Sequence, residues 1–94
     1  MSAMGYEALP GGDLVERGLR DLRGGVVSVE ALLVSVGAPR LRAAGVEVPE
    51  PALPDPEHSL YLRLAEEDPD AAHSRYNALI RRLVSFERAL ECAG

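Results

Sequence analysis

At 94 residues, the chain has the length of one domain and is too short for two. It is 47% apolar, which excludes intrinsic disorder, and its core must be aliphatic because only Tyr6, Tyr61, Tyr76 and Phe86 are aromatic. The formal net charge of −5 argues against a broad phosphate-binding face, which needs clustered basic charge.

The charge is unevenly spread. Residues 1–45 carry five acids and five arginines, residues 46–72 eight acids against Arg63, and residues 73–94 four arginines against Glu87 and Glu91. An acidic middle followed by a mildly basic last helix suggests internal pairing or head-to-head association. Every basic side chain is arginine, and Asn77 is the only asparagine. This bias reads as a GC-rich coding background more than a functional choice. No apolar run approaches the ~20 residues of a membrane span, and the start lacks the pattern of a secretory leader. Cys92 is the single cysteine, so no internal disulfide can form. A cytoplasmic protein without a membrane partner is expected.

Residues 1–12, with Met4, Gly5, Pro10, Gly11 and Gly12, read as a flexible arm that Tyr6 and Leu9 could pin down. Asp13 has the chemistry of an N-cap. Leu14, Gly18, Leu19 and Leu22 then share one helical face, and Asp13–Arg17 and Glu16–Arg20 are placed for i,i+4 pairing. Gly24-Gly25 ends this helix. Residues 26–36 are ambiguous, because Val26, Val27, Val29, Val34 and Val36 suit a strand. Ser28 as N-cap, Val29, Leu32, Leu33 and Val36 at helical spacing, and Gly37 as a stop favour a helix.

Pro39 opens a short helix that Gly45 closes. Residues 46–56, with prolines at 49, 51, 54 and 56, form an ordered or semi-rigid connector crossing the surface. Asp55-Pro56 and Asp68-Pro69 are twin N-cap and first-turn pairs. The first starts a helix with Leu60, Tyr61, Leu64 and Ala65. The second starts the longest helix, from Pro69 to about Cys92, whose apolar seam is Tyr76, Leu79, Ile80, Leu83, Phe86 and Leu90. The fold class expected is all-α: a small single-domain irregular bundle of four to five helices, residues 13–94, with a proline-rich connector.

His73, Asn77 and Arg81 recur at i, i+4, i+8, with Arg88 further along the same side. Arg81 could clamp a carboxylate as a planar fork and His73 could titrate beside it. The plainer account is a solvated face, or salt bridges to Glu66, Glu67 and Asp68. Asp55-x-x-His58 and Asp70-x-x-His73 echo the layout of two-metal helical bundles. Both copies, however, lie in first turns, where the acids serve as cap or dipole complement, so no metal is expected. Residues 29–46 could bend into a helix-turn-helix, but the second helix is very short and begins with Pro39. Ser28, Ser59, Ser74, Ser85 and Cys92 lack the surroundings of a nucleophile. No nucleotide or cofactor signature occurs.

The expected function is therefore binding: a non-catalytic protein–protein interaction module, homodimeric through its last helix. Two alternatives stand beside it. One is a nucleic-acid-associated regulator using Arg40, Arg42, Arg81, Arg82 and Arg88. The other is an enzyme with His73, Tyr76, Asn77 and Arg81 converging on a pocket.

Overall fold

The computed structural model of the protein describes residues 6–50 and 52–93. Five helices account for its regular structure: α1 (Gly12–Arg23), α2 (Val29–Val36), α3 (Ala38–Ala43), α4 (Pro56–Glu67) and α5 (Ala72–Ala93). Among the described residues there is no strand, and the fold is an all-α bundle. The radius of gyration, 12.8 Å, is that expected for a single packed domain of this length.

The organising element is α2. Ala31, Leu32, Leu33, Val34 and Ser35 are all buried in succession, because α1, α3, α4 and α5 all pack on this short helix. That explains its valine-rich, strand-like composition. A helix enclosed on every side needs no polar face, so its periodicity is weak. Its start follows the expected chemistry: Ser28 Oγ accepts from the Ala31 amide at 3.0 Å and donates to Asp21 Oδ2 at 2.6 Å, tying the cap to α1. Val26 and Val27, which precede the cap, stay about half exposed.

The core around α2 comprises Val15 and Leu19 from α1, Leu41 from α3, Leu60 and Leu64 from α4, and Leu83 and Phe86 from α5. The connector is docked onto this core. Val46 and Val48 are buried, the Leu53 amide donates to Ser35 Oγ at 3.2 Å, and Arg42 Nη2 donates to the carbonyls of Val48 and Pro49. Pro51 lies outside the described residues.

Several local expectations change in the folded chain. Residues 1–5 of the expected arm lie outside the described residues, whereas Tyr6–Ala8 forms a 3-10 turn packed on the domain. The Tyr6 amide donates to Glu16, and its ring meets Phe86 edge-on at 5.5 Å. Asp13 is not the cap of α1. Gly11 holds that position with φ 72°, a left-handed conformation open to glycine, and the helix begins two residues earlier. Asp55 does stand before α4, but at φ 45° its side chain makes no capping bond. Asp68 does not cap α5 either: its Oδ1 accepts from the amides of Asp70 and Ala71, closing a turn, and α5 starts at Ala72 after that turn instead of at Pro69.

The expected i,i+4 pairs of α1 give way to tertiary ones. Asp13 Oδ1 accepts from Arg82 Nη2 of α5 at 3.0 Å, and Arg17 reaches Glu30 of α2 at 3.6 Å. Each links two helices, where the local pair would have decorated one.

Candidate functional site

The polar residues singled out on α5 do not converge on a cavity. His73, Asn77, Arg81 and Arg88 are all exposed. Asn77 Nδ2 lies 3.2 Å from His73 Nε2, and Arg88 stands close enough to Glu91 to help keep that carboxylate ionised. Tyr76 is half-buried against Tyr61, with ring centroids 5.9 Å apart; burial, and then the nearby Glu57 carboxylate, raise its phenol pKa. His58 is exposed, and no three His, Cys, Asp or Glu side chains gather into a metal-ligand group among the described residues. Replacing Arg81 by alanine is expected to change stability by only tenths of a kcal/mol in a urea titration. A loss beyond ~1.5 kcal/mol would mean a buried pair instead.

The seam of α5 faces inward. Leu83 and Phe86 are buried in the chain's own core, and Tyr76, Leu79, Ile80 and Leu90 pack half-buried against the same cluster.

A cavity lies on a neighbouring side of α5. A groove of about 570 Å³ runs between the start of α2, the second half of α4 and the first half of α5. Ser28, Val29 and Glu30 form one wall, Arg63 and Glu67 a second, and Arg75, Ala78, Leu79 and Arg82 the third. The helical repeat explains the third wall, since residues 75, 78, 79 and 82 share one face of α5. Arg63 and Glu67 are likewise one turn apart on α4.

Charge in the groove is mostly neutralised by the chain itself. Arg75 Nη1 donates to Glu67 Oε1 at 2.9 Å, Arg82 is held by Asp13, and Glu30 is met by Arg17. Arg63 differs: among the described residues no carboxylate lies within 4.0 Å of it. The groove thus combines an aliphatic surface of Val29, Ala78 and Leu79 with one uncompensated guanidinium, a mixture suited to a ligand with apolar and anionic parts. Its one hydroxyl among the described residues, that of Ser28, is engaged in capping α2 and in the bond to Asp21. Sequence reasoning missed Arg63 and Arg75. The 75–78–79–82 face was present in the sequence but ran beside the more conspicuous His73–Asn77–Arg81 row, and only packing brings Arg63 to it.

A second charged cluster is structural. Arg40 of α3 forks onto Glu91 with contacts of 2.8 and 2.9 Å and reaches Glu87 at 3.3 Å. Glu87 is only 3% exposed. Burial pushes its carboxyl pKa up, Arg40 opposes this, and Glu91 adds to the rise. For Glu91 the hydrogen bond from Arg40 dominates and lowers the pKa. The two therefore act oppositely on stability. A raised folded-state pKa means that the native protein binds the Glu87 proton before the unfolded chain does. Stability accordingly rises as pH falls from neutrality through that raised value. The Glu91 contribution is present above the ordinary carboxylate range and is lost as pH falls through its lowered value. Glu87→Gln mimics the protonated form, so its stability difference from wild type is expected to shrink as pH falls from neutrality toward the ordinary carboxylate range. A difference that stays constant over that window in urea titrations would contradict the assignment.

Among the described residues, no helix is long and apolar enough to cross a membrane. Compared with models of protein families, with curated proteins and with solved structures, the chain matches none.

Proposed function

We propose that the protein is a non-catalytic interaction module whose docking site is the groove between α2, α4 and α5. The observation that carries this reading is the groove's composition: Val29, Ala78 and Leu79 stand among charged side chains, of which Arg63 has no carboxylate partner among the described residues. Catalysis by the His73 cluster has less support, because His73, Asn77 and Arg81 stand on open surface. A nucleic-acid role also has less support. Arg40, Arg42 and Arg82 are engaged by Glu87 and Glu91, by Glu50, and by Asp13, leaving Arg81 and Arg88 as the exposed remainder of that set.

Homodimerisation through α5 is a narrower form of the same reading. With the seam turned to the core, a second copy would meet the outer arc of Asn77, Arg81, Ser85 and Arg88, where like charges would face each other. A separate partner in the groove is the better-supported form. A cytoplasmic setting goes with it, since oxidising conditions would tend to pair the exposed Cys92 thiol between copies.

The test is photo-crosslinking in cells of the source organism from a benzoyl-phenylalanine placed at the exposed Val27, next to the groove wall. A discrete adduct is expected, lost with Arg63→Glu and retained with Arg81→Ala. An adduct indifferent to Arg63, or none at all, would sink the groove as the docking site.

A further inference from the structure

The groove's chemistry narrows its occupant, granted that it is the docking site. We infer that it takes an extended acidic peptide segment, in which a carboxylate pairs with Arg63 and a neighbouring aliphatic side chain lies on Val29 and Leu79. Three observations lead there. First, the charge left over in the groove is a single arginine, since Arg75, Arg82 and Glu30 are met by Glu67, Asp13 and Arg17. A planar guanidinium with its donors free matches a carboxylate in two-point contact. Second, Val29, Ala78 and Leu79 put aliphatic surface in the groove itself. A lone small anion would use none of that surface. Third, the volume of about 570 Å³ holds several side chains and exceeds the needs of one phosphate.

Polyphosphate and nucleic acid fit worse, because Glu30 and Glu67 stand in the walls and would face every additional phosphate. The chain's overall negative charge does not exclude an acidic peptide. Exposed charges beyond about 8 Å are largely screened at physiological salt, and within the groove Glu30 and Glu67 are each met by an arginine, so a single carboxylate can reach Arg63. A second copy could offer its own acidic connector, but that contact would join two different surfaces and would build a ring or a filament instead of a two-fold dimer.

The probe is a blocked pentapeptide, Glu-Leu-Glu-Leu-Glu, titrated into the 15N-labelled full chain. Its Gln-Leu and Lys-Leu analogues, a ten-nucleotide oligothymidine and inorganic triphosphate serve as comparisons. Saturable shifts are expected at the amides of Val29, Glu30, Ala78 and Leu79 and at the Arg63 side-chain Nε–H. Affinity should weaken about tenfold or more with the Gln-Leu peptide or with Arg63→Gln, and should fall with added salt. Circular dichroism of Arg63→Gln checks that the fold persists. Equal binding of the Gln-Leu peptide, tighter binding of triphosphate or oligothymidine, shifts confined to other surfaces, or no saturation at millimolar peptide would each overturn the inference. Peptide failure combined with an Arg63-dependent Val27 crosslink would leave the docking site standing and reject only its acidic-peptide chemistry. Absence of a Val27 adduct from the wild-type chain, or an adduct unchanged by Arg63→Glu, would reject the docking site itself. Concentration-dependent mass in ultracentrifugation, abolished by Arg63→Gln, would assign the groove to a second copy instead.

Discussion

Leu83→Asp is expected to unfold the protein at neutral pH. Leu83 is 3% exposed, one turn before the buried Glu87 on the same face of α5. Both side chains close over Gly37 at the α2–α3 junction, where an added Cβ would lie 3.0 Å from Leu83 Cδ2 and 2.8 Å from Glu87 Oε2. An aspartate at 83 would therefore place a second carboxylate beside one already raised in pKa by burial. Arg40, shared between Glu87 and Glu91, is the only arginine paired with either acid among the described residues. An uncompensated buried charge costs several kcal/mol, against a total stability of about 5–14 kcal/mol for a chain of this length. Loss of the helical circular-dichroism signal and of cooperative melting is the expected result. Leu83→Met, which nearly conserves volume, should cost less than about 1.5 kcal/mol. A Leu83→Asp protein that melts like wild type would place residue 83 outside the core.

The second large effect is expected at the crossing of α1 and α2. An added Cβ at Gly18 would lie 2.3 Å from the Glu30 carbonyl oxygen and 2.4 Å from Val34 Cγ2. The first of these is backbone and cannot rotate away, so alanine must push the two helices apart. Helix propensity alone favours Gly→Ala by about 1 kcal/mol. Overpacking typically costs 1–3 kcal/mol, and because this crossing buries Val15, Leu19 and Val34 the net loss should approach ~2 kcal/mol. Gly24→Ala is the control: its nearest neighbours would be 3.6 Å away and its φ is −87°. Urea midpoints for the two variants separate a clash from a general effect of losing glycine. Equal midpoints would mean that α1 and α2 do not approach as closely at Gly18 as described.

The helical class, the end of α1 at Gly24, the span of α2 with Ser28 as its cap, and the apolar seam of α5, though not its turn into the chain's own core in place of an interface with a second copy, were legible in the residues. Each rests on interactions within a few residues along the chain, where spacing and capping chemistry act directly. The caps at Asp13 and Asp55 were misread because the backbone conformations at Gly11 and Asp55 depend on what the preceding segment packs against. Tyr6 against Phe86 settles the first of these.

Ion pairing shows the division most clearly. The sequence placed Asp13 and Arg17 at a spacing that favours pairing within α1. In the fold, Asp13 bonds Arg82, 69 residues away in the chain, and Arg17 meets Glu30. An exposed i,i+4 pair is worth only tenths of a kcal/mol, so the burial of Leu19, Leu33 and Phe86 decides which charges meet. The groove arises in the same way. Local order alone determined that residues 75, 78, 79 and 82 share a face of α5. That Arg63 stands opposite them without a carboxylate partner was decided by the packing of α4 and α5 around α2, because hydrophobic burial positions whole helices and the charges they carry follow.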